Sequence, residues 1–183
     1  AMKKKKKKNP PLANVGKKFE QSCTKSVPSH VAVIRMPDAA QSFFQTSYLR
    51  FSLRNPYDFL WWNPTTLTLS ALELKTVKGK SISFERTKDE KKEIHYHQIQ
   101  GLKNFKDIGG SVCGLIIEFR ELEITVFIDV DDFIEMTKVN PKKSFNFKDL
   151  ETFKVPYIVI PQKKLKTNYR YDIETFLEKT RLH

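Results

Sequence analysis

The sequence of residues 57–77 is YDFLWWNPTTLTLSALELKTV, and this stretch predicts a β-hairpin. Residues 57–62 are aromatic and apolar, as is typical of a strand, and the Asn63-Pro64 pair that follows favours a turn. Residues 66–77 then alternate between apolar and polar side chains for most of their length, which indicates a second strand. The hairpin is the part of the chain from which the fold and the function are inferred.

Three charged side chains lie on this mostly apolar hairpin: Asp58 on the first strand, and Glu73 and Lys75 on the second. Because side chains alternate along a strand, Glu73 and Lys75 share one face. Asp58 reaches the same patch if the hairpin is twisted and splayed near its end. Two carboxylates are hard oxygen ligands suited to Mg²⁺ or Mn²⁺, and a lysine beside the metal can hold or polarise an attacking water. The alternative is a solvated Glu-x-Lys with an unrelated Asp, since short motifs often match by chance.

The flanking sequence predicts an α/β fold with a central mixed sheet flanked by helices. Asn14 can cap a helix that Pro28 ends, and Asp131 and Asp172 can cap later helices. The helix predicted over 94–105 carries Gln98 on the same face as Ile94 and Leu102. Further strands are predicted at 31–36, 82–84, 112–119, 124–130 and 157–160, and further helices at 131–137, 146–154 and 173–181.

Residues 38–54 form a long insertion between two predicted strands. Its aromatic side chains are Phe43, Phe44 and Tyr48 along with Phe51, and Arg50 and Arg54 lie near its end. Hairpin connections need only two to five residues, and long insertions in compact domains are often functional. The alternative is an ordinary helix that packs its aromatic residues on the core.

The composition favours a partner that carries phosphate. The 183 residues include 33 Lys plus Arg against 21 Asp plus Glu, a net charge of +12, and removing the six lysines of residues 3–8 leaves 12 − 6 = +6. Basic domains gain affinity for nucleic acid by releasing counterions from phosphates. Residues 1–14 are predicted to be a basic mobile arm, and residues 15–183 to be one domain.

The composition also bears on cellular location. No apolar stretch is long enough to cross a membrane, and no apolar segment follows the N-terminal lysines as in a secretory signal. The two cysteines, Cys23 and Cys113, give no disulfide framework, so reduced core thiols and a cytoplasmic location are expected.

Other polar residues flank the predicted site. His95 and His97 are two apart on a predicted helix, so they should not share a face, which argues against a histidine metal pair and leaves both free to touch DNA. Lys78 and Lys80 follow the Glu-x-Lys strand and form either a solvated basic loop or a rim that contacts phosphates.

Together these residues resemble the core of the PD-(D/E)xK nucleases: a helix, a strand with Asp58 in Asn-Pro-Tyr-Asp, the Glu73-Leu74-Lys75 strand, and a helix with Gln98. More closely, the chain resembles the RecU family of Holliday junction resolvases over most of residues 14–135. Tyr57 separates Pro56 from Asp58, which departs from a strict Pro-Asp pair, and residues after 135 match less clearly. The resemblance is carried by Asn14-Val15-Gly16 before a helix with Glu20, the strand to Met36, the insertion before Tyr57-Asp58-Phe59, the segment 72–76, His97-Gln98-Ile99, and the strands ending in Phe127-Ile128-Asp129.

The resemblance implies a restriction-endonuclease-like core and a homodimeric, Mg²⁺-dependent endonuclease, with Mn²⁺ able to substitute. Such an enzyme nicks opposed strands of a four-way DNA junction in homologous recombination and repair, and other recombination proteins are possible partners. Asp58 and Glu73 would bind the metal, Lys75 would act on the water, and Gln98 would help to place metal or water. The family resemblance is compatible with a cellular or a phage source.

Two further assignments depend on the resemblance. Glu20 would face the same cleft from the first helix, unless it is an ordinary exposed helix glutamate. Residues 38–54 would be a stalk that projects into the junction centre, where Phe43, Phe44 and Tyr48 stack on opened bases and Arg50 and Arg54 meet phosphates.

Two other functions are compatible with the sequence. A non-catalytic basic nucleic-acid-binding protein would explain the charge and the aromatic insertion without using the acids. A restriction-like or repair nuclease that acts on linear duplex DNA would use the same acids on another substrate.

Overall fold

The computed structural model of this chain describes residues 13–37 and 55–181. The basic arm predicted at residues 1–14 lies almost wholly outside these ranges, and the stalk predicted at 38–54 lies wholly outside them, so both remain predictions. The described helices are α1 (Ala13–Ser26), α2 (Tyr96–Asp107), α3 (Val130–Val139), α4 (Phe147–Thr152) and α5 (Ile173–Thr180). The described strands are β1 (Ala32–Arg35), β2 (Phe59–Asn63), β3 (Thr68–Val77), β4 (Ser81–Ser83), β5 (Val112–Phe119), β6 (Ile124–Asp129), β7 (Ser144–Asn146), β8 (Ile158–Ile160), β9 (Gln162–Lys164) and β10 (Tyr169–Tyr171).

Six strands form one mixed sheet in the order β1-β2-β3-β5-β6-β8. Neighbouring strands are antiparallel except β3 and β5, which are parallel. A parallel pair needs a crossover connection, and α2 lies in the segment that makes it. This arrangement confirms the predicted α/β class, with a central mixed sheet flanked by helices.

Both faces of the sheet are covered by apolar packing. On one face, which we call the α2 face, alternate β5 residues such as Leu115 and Ile117 pack with Leu102 of α2 and Phe133 of α3. On the other face, the α1 face, Ile116 of β5 packs with Phe19 of α1 and with Phe176 of α5. Every β5 residue is buried, as its continuous apolar sequence predicts for a central strand.

Three short strands and two helix caps differ from the sequence-based prediction. Strands β7, β9 and β10 were not predicted, because none of these three-residue segments carries an aliphatic residue to mark a strand. Asn14, the predicted cap of the first helix, lies inside α1, which begins at Ala13. The predicted cap of α3, Asp131, is wrong: Asp129 caps this helix, and its carboxylate accepts a hydrogen bond from the Asp131 backbone N–H at 2.9 Å. The helix therefore starts immediately after β6, without a connecting residue.

Both cysteines are free and buried, as predicted. Cys23 lies on α1, where burial raises the pKa of its thiol well above the usual value. Burial in β5 also raises the pKa of Cys113, to about 11. Both thiols are therefore poor nucleophiles at neutral pH. Among the helices that the structure describes, none is long and apolar enough to span a membrane.

Candidate active site

Asp58 and Glu73 meet where β2 begins beside β3. Phe59 is the register partner of Leu72, yet the Leu72 carbonyl also accepts the Asp58 backbone N–H at 3.1 Å. The pairing is therefore offset by one residue at this end, which is the distortion that convergence of the acids was expected to need. The Asp58 carboxylate then turns toward β3 and accepts the Leu74 N–H at 2.9 Å.

Glu73 is almost fully buried, with 1% of its surface exposed. Its Oε1 atom lies 2.9 Å from Lys75 Nζ and also accepts a hydrogen bond from Gln98 Nε2. Its Oε2 atom is buried and receives no hydrogen bond from a donor group of the described residues, although the Asp58 carboxyl is close enough to share a proton with Glu73. Buried polar atoms without a partner are uncommon and costly, so this oxygen is the atom of the site that a ligand would satisfy.

The ionisation of the two acids reflects this burial. Burial raises the pKa of Glu73 to about 8, the ammonium group of Lys75 opposes the shift, and the neighbouring Asp58 carboxyl adds to it. Burial likewise raises the pKa of Asp58, while the Leu74 N–H and Lys75 lower it. The two carboxyl groups thus repel each other in a poorly solvated place, a situation that a divalent cation relieves.

Gln98 reaches the site from the first turn of α2. Its Oε1 accepts the His95 backbone N–H at 3.0 Å, which forms a capping box, and its Nε2 donates to Glu73. The predicted placement of the Gln98 helix against the acid pair agrees with this contact. The contact made by Gln98 is with Glu73 itself, and its role as a metal ligand stays a prediction.

Glu20 lies at the edge of the acid pair. Its carboxylate forms an ion pair with Arg35 Nε at 3.0 Å. Behind the larger effect of burial, Glu20 raises the pKa of Asp58 and Arg35 lowers it, so both groups are near that acid. The structure therefore brings Glu20 close to the acids through its ion pair with β1.

The expectation that His95 and His97 point in different directions is wrong. Their rings stack with centroids 5.4 Å apart and an angle of 17° between the planes. His95 is the N-cap of α2 and has extended backbone angles (φ −85°, ψ 143°), so the helical spacing rule does not apply to it.

Glu85 is another buried acid, and it was not identified from the sequence. It is 7% exposed and accepts hydrogen bonds from the Tyr96 N–H at 2.8 Å and the Lys92 N–H at 3.2 Å, and its Oε1 lies 2.9 Å from His95 Nδ1. Glu85 thereby holds the segment that starts α2, and with it Gln98. No sequence pattern marks this role, because the partners are backbone groups seven and eleven residues away.

The remaining predicted site residues are divided between the surface and the undescribed segment. Lys78 and Lys80 are exposed in the turn after β3, where either predicted role is possible. The predicted DNA-binding residues Phe43, Phe44, Tyr48, Arg50 and Arg54 all lie outside the described residues.

The donor set at the acid pair fits a hard divalent cation. Within residues 13–37 and 55–181, no three His, Cys, Asp or Glu side chains gather into a complete metal cage. Mg²⁺ does not require one, because it is usually bound by one or two carboxylates together with waters and substrate phosphates. The unpartnered Glu73 Oε2 beside the Asp58 carboxylate offers such an incomplete set.

No protein-family model matches this sequence, and no curated protein matches it either. Among solved structures, the chain is similar to Hjc, a Holliday junction resolvase from the archaeal hyperthermophile Archaeoglobus fulgidus. The two are 17% identical, the match covers 75% of this chain and 93% of that chain, and the TM-score is 0.44. Because identity and TM-score are both low, the function proposed below is based on the geometry of the acid pair.

Proposed function

We propose that this chain is a divalent-metal-dependent endonuclease that hydrolyses phosphodiester bonds in DNA. The observation that carries the proposal is the buried Glu73, whose Oε2 has no partner in the described structure although Asp58 and Lys75 are adjacent. A carboxylate kept buried with one oxygen free is costly to the fold, and a metal-binding role explains why it is kept.

In this proposal Asp58 and Glu73 hold Mg²⁺ or Mn²⁺. The cation, when bound, acidifies water and neutralises charge that builds on the phosphate. Lys75 opposes protonation of Glu73 and presents a positive charge where negative charge develops. Gln98 holds Glu73 Oε1, so that Oε2 is the oxygen left for the cation.

The substrate that we propose is a four-way DNA junction. This finer assignment is supported by the resemblance to the RecU family and by the net charge of +12. Resolving a junction takes two symmetry-related nicks, which a two-fold homodimer supplies. Residues 38–54 would then act as the stalk at the junction centre.

The first test compares the acids by cleavage of a synthetic four-way junction in Mg²⁺. Asp58→Ala and Glu73→Ala should each lower the cleavage rate at least about 1,000-fold, because each removes a proposed metal ligand. Binding of the junction in EDTA should change by no more than a few fold. Glu123→Ala, which removes an exposed acid, is the matched control and should cleave normally. Normal cleavage by either site variant would refute the site.

The same assay separates the substrates. Faster nicking of the junction than of a linear duplex with the same sequence, at equal salt, is expected for a resolvase. Equal rates would favour the restriction-like or repair nuclease. Salt-dependent binding without metal-dependent nicking would favour the non-catalytic binding protein.

A further inference from the structure

A groove of about 440 Å³ runs between α1 and the β1 edge of the sheet. The half-buried Val33 of β1 supplies its apolar surface above the buried Phe59 of β2, and α1 supplies a polar wall that includes Lys17, Gln21 and Lys25. These α1 residues recur every four positions, so they lie along one side of the helix.

The groove is positively charged. Lys17, Lys25 and Arg35 line it against a single acid, Glu20, which is paired with Arg35. Lys17 and Lys25 are exposed, and eight residues of helix separate them by about 12 Å along the axis. Positive charge is therefore spread along the groove instead of being concentrated at one point.

The groove lies on the α1 face and comes near the acid pair at Asp58, whereas Glu73 lies on the α2 face. Phe59 directly follows Asp58 in the chain, and the Glu20–Arg35 ion pair lies near enough to Asp58 to affect its ionisation. An elongated anionic ligand in the groove would thus pass close to Asp58, at the edge of the acid pair.

We infer that this groove holds the sugar-phosphate backbone of the DNA strand that leads to the acid pair. The inference rests on the proposed nuclease function and adds the path of the substrate. Lysine side chains bind phosphates without reading sequence, and the half-buried Val33 offers apolar surface that suits the sugar carbons between phosphates. Because the positive charge is spread along the groove, it complements a polyanionic backbone better than an apolar partner. The experiments below distinguish a nucleic-acid backbone from an acidic protein segment by asking whether DNA contacts run along the groove.

The first experiment compares two double variants that each remove two exposed helical lysines. Lys17→Ala/Lys25→Ala removes the two lysines of the groove, while Lys148→Ala/Lys179→Ala removes lysines of α4 and α5 that do not line it. Affinity for a four-way junction is measured by fluorescence anisotropy in EDTA over a range of salt. The groove variant should bind about 10-fold more weakly than the control, with the slope of log affinity against log salt reduced by roughly 1.8.

Equal affinities and equal slopes in the two double variants would overturn the groove assignment. Because this measurement is made without metal and without cleavage, that result would leave the proposed nuclease function standing. Thermal unfolding of both variants checks that each is folded.

The second experiment maps the strand directly. The natural cysteines are both buried, so a Gln21→Cys variant can be labelled at position 21 with an iron–EDTA reagent. Thr152→Cys, exposed on α4, is the matched control. Strand scission from position 21 should be confined to a few nucleotides of one strand near the branch point. A diffuse pattern, or one equal to that of the control, would contradict the inference.

Discussion

Glu73 on β3 and Glu118 on β5 are both buried glutamates of neighbouring strands, but their carboxylates are held differently. Glu118 is 5% exposed, and both of its oxygens are bonded: Tyr171 Oη donates to Oε1 at 2.8 Å, and Thr76 Oγ1 donates to Oε2 at 2.6 Å. Glu73 is more deeply buried, yet its Oε2 has no partner in the described structure.

The two acids lie on opposite faces of the sheet. Glu73 faces α2, where Gln98 and Lys75 contact it, while Glu118 lies on the α1 face and connects the sheet to β10 through Tyr171. Strand β3 contributes a contact to each acid, because Lys75 points to the α2 face beside Glu73 and Thr76 points to the α1 face beside Glu118. The fold completes the hydrogen bonds of Glu118 but leaves one oxygen of Glu73 without a donor, and the proposed function explains this difference by a ligand at Glu73.

The largest effect is expected when the charge of Glu73 is removed. In metal-free protein the pKa of Glu73 is about 8, against 4.5 for an ordinary glutamate, so the folded state binds a proton that the unfolded state releases between these values. This contribution to stability is fully present below about pH 4.5 and is lost as pH rises toward 8. We expect Glu73→Gln to be more stable than wild type at pH 9 in EDTA, by several kcal/mol at about 1.4 kcal/mol per pKa unit, and equally stable at pH 4.

The control for that prediction is Glu118→Gln. Replacing this acceptor weakens one of its two hydroxyl contacts and should lower the free energy of unfolding by about 1–2 kcal/mol. Thermal unfolding at pH 4, 7 and 9 measures both variants. The same pH profile in wild type and Glu73→Gln would show that the Glu73 charge is not a cost to the fold.

A smaller effect is expected from Glu85, which holds the start of α2 in place for Gln98. Glu85→Gln should lower the affinity for Mn²⁺ about 10-fold, because groups that orient a metal ligand have effects of this size. Mn²⁺ binding measured by electron paramagnetic resonance, without DNA, checks this. Glu93→Gln, which also contacts β4 but is exposed, is the matched control. Unchanged Mn²⁺ affinity in Glu85→Gln would mean that Glu85 stabilises the fold without influencing metal binding.

The smallest effect concerns the Glu118 side of the comparison. Tyr171→Phe removes one hydrogen bond to a buried carboxylate and should lower the free energy of unfolding by about 1 kcal/mol, with normal cleavage by the folded protein. Tyr169→Phe removes a comparable bond to the exposed Glu123 and should have almost no effect. Urea unfolding of the two variants measures the difference, and a loss of cleavage in Tyr171→Phe would mean that the two faces are coupled.

Long periodic segments of the sequence predicted most of the fold. The hairpin β2–β3, the central strand β5 and the helices α1, α2 and α5 were all identified from hydrophobic spacing and caps. Strands β7, β9 and β10 were missed because none of them carries an aliphatic residue to mark a strand, whereas the equally short β4 and β8 carry isoleucines and were predicted. The stacking of His95 on His97 was missed because the cap residue adopts an extended backbone that spacing along a helix does not describe.

Some features of the candidate site could likewise be predicted from the sequence, and others could not. The sequence by itself determined that Glu73 and Lys75 share a face, because alternation along a strand is a local property of the backbone. Only the tertiary structure decided that Asp58 turns toward them, that Gln98 occupies Glu73 Oε1, and that Oε2 is left without a partner in the described residues. These contacts join residues 16 to 25 positions apart, and burial and unmet hydrogen bonds depend on everything that packs around an atom, which no local pattern of residues contains.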